Sequence, residues 1–292
     1  MFLKTAAATI VACLLCGSLA IRADAAPPAG KIYLVGMGPG DAELVTFKAA
    51  RVLKQADCIF CFRYLRDEVA RYAPAEKIEI ASPLLMGGTH TRAGDLPPDL
   101  RKDLEKRSAA SAEFVPRIRA LLAAGKTVVF ADAGDPTLYC PWSWITDEFA
   151  DAGPVVVPGL SSFNAANAAL RQGITREGGS VILSAGGELG EPDPQGRLKT
   201  MLVIFTHRAK LKEVVPRLLA RYPADTPVAV VCEASYPSER TVYATLGTVL
   251  QDASLERLPH LYLVYVGDGL RPPRASKAAI APASGTASET HR

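Results

Sequence analysis

Glycine, proline, aspartate and serine gather in three short runs, each directly after a compact apolar segment. Gly36-Met-Gly-Pro-Gly-Asp41 follows Lys31-Ile-Tyr-Leu-Val35, Asp132-Ala-Gly-Asp-Pro136 follows Thr127-Val-Val-Phe130, and Pro158-Gly159-Leu-Ser-Ser162 follows Val155-Val-Val157. Glycine lets a backbone approach a ligand with no Cβ in the way, while hydroxyls and a carboxylate supply hydrogen-bonding groups. If the apolar segments are parallel strands, the three runs converge on one edge of the sheet. Open α/β sheets bind ligands there, outside the carboxyl ends of their strands. Binding a small organic cofactor through backbone groups is the chemistry such a pocket suits.

Rival motifs fit less well. A dinucleotide fingerprint needs a third glycine where Asp41 stands, and an acidic residue ending the second strand is missing. Gly125-Lys126-Thr127 has Ala120 where a phosphate-binding P-loop needs its upstream glycine, and it leads into a strand instead of a helix. Cys58-Ile-Phe-Cys61 has redox or zinc spacing, but on a strand residues three apart point to opposite faces, roughly 10 Å apart, too far to bridge. Two core thiols are the reading. Cys13 and Cys16 lie in the apolar leader, so Cys58, Cys61, Cys140 and Cys232 are scattered thiols and no disulfide framework.

The elements that must position these turns alternate strand, turn, helix, strand. Thr46 can cap a helix through about Gln55 with Ala50 and Leu53 on its inner face, and Cys58 to Cys61 is the second strand. Residues 81 to 112 read as a long loop with one polar helix at most. From Glu113 a stripe of Phe114, Ile118, Leu121 and Leu122 marks a helix that Gly125 closes, and an Ala/Asn-rich helix runs from about Ser162 to Leu170. After a looser stretch come strands at Val181–Ser184, Met201–Phe205, Val228–Cys232, Thr241–Thr245 and Leu261–Val266, with a helix from about Leu211 to Ala220. The pattern predicts an α/β protein of two domains, a mostly parallel sheet over residues 31–160 and a mixed sheet over 161–270.

Charge excludes one class of partner. The formal +3 sits at the chain ends, on Lys4 and Arg22 and on Arg271, Arg274, Lys277 and Arg292, so the body is balanced and offers no broad face for nucleic acid. Lys4, an apolar run from Thr5 to Ile21 and Ala23-Asp24-Ala25 form the three parts of a secretory signal over residues 1–25. Export to the periplasm is the expectation, with a cytoplasmic protein if the signal does not function. An uncleaved anchor or a lipoprotein signal ending at Cys13 are alternatives. No stretch in the mature chain is long and apolar enough for a membrane span. The Ala/Ser/Thr/Pro-rich segment 271–292 reads as a disordered tail.

Four motifs in register, GxGPGD, GDPxxY, VPGxSS and the late Thr226-Pro-Val-Ala-Val-Val231 strand, resemble those of the SAM-dependent tetrapyrrole methyltransferases, which act on precorrins and uroporphyrinogen. The resemblance spans about residues 31 to 270. It implies C-methylation of a precorrin-like tetrapyrrole of the cobalamin (corrin) type, a homodimer, and S-adenosyl-L-methionine (SAM) held in the cleft between two α/β domains. It places the SAM pocket at Pro39, at Ala133, Gly134, Asp135 and Leu138, and at Ser161 and Ser162, with Thr206, Ala234 and the Ala244-Thr245 backbone from the second domain. Asp135 suits an acceptor for the donor's amino or ribose groups. The sulfonium already activates the methyl, so catalysis needs mainly in-line placement, and no general base is nominated. Arg63 and Arg66, just past the second strand, are candidates for substrate carboxylates, with solvated loop charges as the alternative.

Three places depart from the family's pattern: Cys140 where glycine is usual after Tyr139, Cys61-Phe62-Arg63-Tyr64 after the second strand, and His207 after Phe205-Thr206. Each adds bulk near the expected ligands. Together Cys61, Cys140 and His207 offer soft ligands for a metal or haem iron, although three strand-end residues do not make a coordination geometry, and no metal is assigned. His90, His260 and His291 carry no pattern. An exported chain would also stand apart from cytosolic SAM, so the alternative function is a non-catalytic exported tetrapyrrole- or metal-binding protein reusing the same cleft.

Overall fold

The computed structural model describes residues 30–87, 98–175, 179–192, 200–206 and 210–272. The leader over residues 1–25, nearly all of the tail from 271 to 292, and His90, His207 and His291 lie outside them.

The first sheet contains β1 (Lys31–Gly36), β2 (Cys58–Cys61), β3 (Ile78–Ile80), β4 (Thr127–Asp132) and β5 (Val155–Val157), in the order β3-β2-β4-β1-β5. Every neighbouring pair is parallel. Parallel strands are covered on both faces, which is why β2 is buried along its whole length and why β4 is apolar up to Asp132. Helix α1 (Phe47–Gln55) covers one face with Ala49, Val52 and Leu53. Ala49, rather than the expected Ala50, is buried, because it shares one helical stripe with Val52 and Leu53, three and four residues on, while Thr46 caps the helix through its side chain to the Ala49 N–H. A short helix, α2 (Arg66–Val69), follows β2.

The opposite face carries α3 (Pro98–Ala123) and α4 (Trp144–Glu148), which pack Phe114, Ile118, Trp144 and Ile145 against Phe60 and Phe130. Helix α3 begins some turns before the stripe starting at Phe114. Its first half is mostly charged residues and Ala, with Leu100 and Leu104 as its large apolar residues, too few to mark a stripe, while Lys, Arg, Glu and Ala favour the helix. The short edge strand β3 also escaped sequence reading, since three residues carry no periodicity.

The second sheet is mixed, in the order β6-β7-β10-β8-β9, from β6 (Val181–Ser184), β7 (Met201–Phe205), β8 (Pro227–Cys232), β9 (Arg240–Thr245) and β10 (Tyr262–Val266). β6 and β7 are parallel and the other pairs antiparallel. Helix α5 (Ser162–Leu170) packs Ala165, Ala166 and Leu170 on one face, and α6 (Leu211–Leu219) packs Leu211, Val214, Val215 and Leu218 on the other. No helix among the described residues is long and apolar enough to cross a membrane.

Candidate functional site

Parallel pairing carries the ends of β1, β4 and β5 to the same edge, since Gly36 stands level with Asp132 and Val35 with Val157. The three turns then lock together. Met37 N–H donates to Asp132 O at 2.7 Å, Gly134 N–H to Gly38 O at 2.7 Å, and Gly38 N–H to Gly134 O at 3.2 Å. A Cβ on Gly36 would stand 2.6 Å from Gly134 O and 2.7 Å from Gly159 N, closer than real Cβ contacts come. Glycine is therefore required at Gly36 by the neighbouring backbones, and the same holds for Gly159 against Gly134 O.

Asp135 joins the turns through its side chain. One carboxylate oxygen accepts from Thr137 N–H at 2.8 Å and from the Thr137 hydroxyl, and the other accepts from Gly159 N–H at 3.2 Å. Much of its accepting capacity is thus spent inside the cradle instead of standing open. Ser161 likewise caps α5, its hydroxyl accepting from Phe163 N–H at 3.2 Å while Asn164 returns a bond to Ser161 N–H. Ser162 is half-buried in the first turn of that helix, and Ala133 is exposed between the turns.

The second sheet closes against this edge. Leu138 packs on the second-sheet core, the Tyr139 hydroxyl donates to Leu183 O at 2.9 Å, and its ring lies 4.8 Å from that of Phe205. Asp41 N–H donates to Ser235 Oγ at 3.2 Å, and the Tyr236 ring lies where a Cβ on Gly40 would be. Tyr139, Glu233 and Ser235 hold left-handed φ values of 59°, 49° and 72°, a strained backbone at the places where the two sheets touch. A narrow crevice remains there, bounded by Met37, Gly38, Leu65, Ala133 and Tyr236. Pro39 is buried behind it, and Ala234 lies in the loop that carries Tyr236. Thr206, at the end of β7, donates its hydroxyl to Tyr262 O on β10, at the same end of the sheet.

Ala244 and Thr245 are not brought to the turns. β9 runs antiparallel to β8, so its Arg240 end lies beside Cys232 and the crevice, whereas Ala244 and Thr245 pair with Val228 and Pro227. That register moves Ala244 roughly 13 Å along the strand from Arg240. Arg63 and Arg66 do stand at the carboxyl end of β2, both exposed, with Arg66 paired to its neighbour Asp67 at 3.3 Å. Cys61 faces the α1 side of the sheet, whereas Cys140 packs among the aromatics of the opposite side. Those two thiols therefore do not share a cleft. Cys58 and Cys61 likewise take opposite faces, and all four described cysteines are buried and unpaired by disulfides.

Sequence reading missed two features. Tyr236 closes the crevice, which no pattern signalled. Asp132 ends β4 at 2% exposure, accepting from the Tyr64 hydroxyl, Ala133 N–H and the Cys140 thiol. Burial lifts its carboxyl to about 6, against the pull of those three hydrogen bonds. A signal for it was present, because Val128, Phe130 and Asp132 alternate onto one face and the last is charged.

Residues 31–250 match the model of the family described as Tetrapyrrole (Corrin/Porphyrin) Methylases. The chain belongs to that family. It is 30% identical over 253 residues to a precorrin-4 C(11)-methyltransferase of Mycobacterium tuberculosis, covering 82% of this chain and 91% of that protein. Identity is 28% over 247 residues with a uroporphyrinogen-III C-methyltransferase of Pseudomonas aeruginosa, over 83% and 95% of the two chains. Among solved structures, a cobalt precorrin-4 methyltransferase superposes with a TM-score of 0.60 at 23% identity, covering 83% of this chain and 96% of that one, a likeness of fold. A Thermus thermophilus uroporphyrin-III C-methyltransferase complexed with S-adenyl homocysteine gives 0.55 at 26% identity, over 83% and 94%. The family's two-sheet architecture is the one seen here, with the interlocked turns at the junction.

Proposed function

We propose that the protein is a SAM-dependent methyltransferase acting on a carbon of a precorrin-like tetrapyrrole, in the manner of the precorrin-4 C(11)-methyltransferases. The observation that carries this reading is the interlocking of the turns at Gly36, Gly134 and Gly159 against the second sheet. At Gly36 and Gly159 the backbones approach too closely for a side chain, which leaves a cradle made of peptide groups and small residues. Pro39, Ala133, Gly134, Asp135, Leu138, Ser161, Ser162, Thr206 and Ala234 surround or support it, and these are the residues proposed to hold SAM. Bound there, SAM supplies an electrophilic methyl group.

The surface beside the cradle fits the other substrate. Tyr64, Tyr139 and Leu160 come from the segments after β2, β4 and β5, and each is more than a third exposed. Exposed aromatic and aliphatic groups gathered at one sheet edge suit the flat face of a macrocycle, and Arg63 and Arg66 beside them suit its carboxylates. A homodimer, as the resemblance implies, completes the proposal.

Calorimetry of the folded chain with SAM and S-adenosylhomocysteine, followed by transfer of labelled methyl from SAM to a precorrin, tests the reading. Binding of both ligands with label in the tetrapyrrole supports it. Absence of binding up to high micromolar ligand would overturn it in favour of a non-catalytic binding protein.

A further inference from the structure

A carboxylate at the end of a buried apolar stripe is costly unless it is paired or used. Among the described residues no cation pairs with Asp132. Its Oδ1 accepts from the Tyr64 hydroxyl at 3.2 Å and from Ala133 N–H at 2.9 Å, and its Oδ2 accepts from the Cys140 thiol at 2.7 Å. The titratable groups around it are Tyr64 from the segment after β2 and Cys140 from the segment after β4, with Cys61 beside Tyr64 and Asp135 beside Cys140. Tyr64 reaches from this buried group toward the surface, its hydroxyl drawn inward so that burial, with Asp132 beside it, raises it well above the ordinary phenol value. Its ring stacks on Phe62 at 6.2 Å between centroids, yet the residue is 49% exposed at the sheet edge that carries the cradle.

We infer that Tyr64 and Asp132 form a proton relay serving methyl transfer, with Tyr64 facing the tetrapyrrole and Asp132 accepting through it. The inference rests on the function proposed above. A ring carbon gives its electron pair to the new C–C bond, while the S–CH3 pair stays on sulfur, leaving a neutral thioether. The substrate has then gained one positive charge, which it discharges by losing a proton from a ring N–H or C–H. That proton passes to the Tyr64 oxygen as the Tyr64 proton passes to Asp132 Oδ1, and after product release the neutral carboxyl returns its proton through Tyr64 to solvent. Cys140 holds the second oxygen and fixes the carboxylate plane. A carboxyl lifted by burial to about 6 is still ionised at neutral pH and is a stronger proton acceptor than an exposed one.

Steady-state kinetics of wild type, Tyr64→Phe and Asp132→Asn, with SAM affinity measured by calorimetry, test the relay. Both variants are expected to lose about 100-fold in kcat with SAM affinity kept, the scale of a lost acid–base group. The acid limb of the wild-type profile, near pH 6, is expected to vanish in Asp132→Asn. A second readout needs no turnover: in 13C-tyrosine protein the Tyr64 ring resonance, identified by its loss in Tyr64→Phe, should shift with a midpoint near pH 6, but not in Asp132→Asn. Variants within about threefold of wild type with the acid limb intact, or a Tyr64 resonance indifferent to that titration, overturn the relay alone. A folded wild type that moves no methyl group overturns the functional reading, and the relay with it.

Discussion

The Asp135 carboxylate reaches across from the turn after β4 to accept the Gly159 N–H of the turn after β5, at 3.2 Å. A single side chain thereby fixes the spacing of two turns that parallel strands bring only to the same edge. The proposed SAM pocket depends on that spacing, so this tie between the turns governs ligand affinity.

Asp135→Ala removes the acceptor for Gly159 N–H and for both Thr137 donors. A loss of about 1–3 kcal/mol in stability is expected, the usual consequence of stranding a partly buried donor, here the Gly159 N–H. SAM affinity should fall at least about tenfold, since 1.4 kcal/mol of lost preorganisation is enough for that. Denaturant unfolding and calorimetry check the two together. Unchanged affinity in a destabilised variant would separate the tie from the pocket.

Gly36→Ala places a methyl group within 2.6 Å of Gly134 O and 2.7 Å of Gly159 N, both backbone atoms that cannot swing aside. Overpacking of this kind costs about 1–3 kcal/mol. Gly153→Ala is an instructive comparison, because nothing lies within 4 Å of its Cβ position and only its φ of 60° opposes the change. Thermal unfolding of both, with SAM binding measured alongside, should show Gly36→Ala losing binding and Gly153→Ala keeping it.

Asp132 carries a pH signature in stability. Its folded-state value of about 6 lies above the ordinary 3.8, so the folded protein binds more protons between those limits. Stability from this group therefore falls as pH rises through that window, and the whole penalty, about 3 kcal/mol, is present above it. Asp132→Asn keeps the shape and removes the buried charge. Thermal scans are expected to place its Tm several degrees above wild type at neutral pH, with the gap closing near pH 4. A variant less stable than wild type at neutral pH would show that the ionised carboxylate is a net stabiliser.

Residues 1–25, with Lys4, the Thr5–Ile21 apolar run and Ala23-Asp24-Ala25, are proposed to direct export. Fusion of residues 1–30 to a reporter active only outside the cytoplasm should give signal. Silence in that assay would keep the chain in the compartment where SAM is made.

Strand positions were legible because buried parallel strands must be apolar throughout, and the runs ending at Val35, Phe130 and Val157 differ from the observed strands by two residues at most. The turns were legible because glycine and proline at a strand end have few other uses. The first half of α3 was hidden, since a solvated helix needs no apolar stripe, and its residues from Lys102 to Ala110 are exposed or only half-buried. The position of Ala244 and Thr245, away from the turns, was hidden for a different reason. Their distance from the cradle depends on the antiparallel register of β9 on β8, which pairs residues far apart in the chain.

By itself the sequence determined the family, the two α/β sheets and the edge at which three turns meet, because strand burial and turn chemistry are local consequences of residue type. Tertiary structure alone decided what the turn residues do. It turned Asp135 from an open acceptor into a tie to Gly159, set Tyr236 over Gly40, and drew Tyr64 and Cys140 onto Asp132. Most of these contacts join residues far apart in the chain and follow from how strands order themselves in a sheet, and no local pattern in the chain encodes that order.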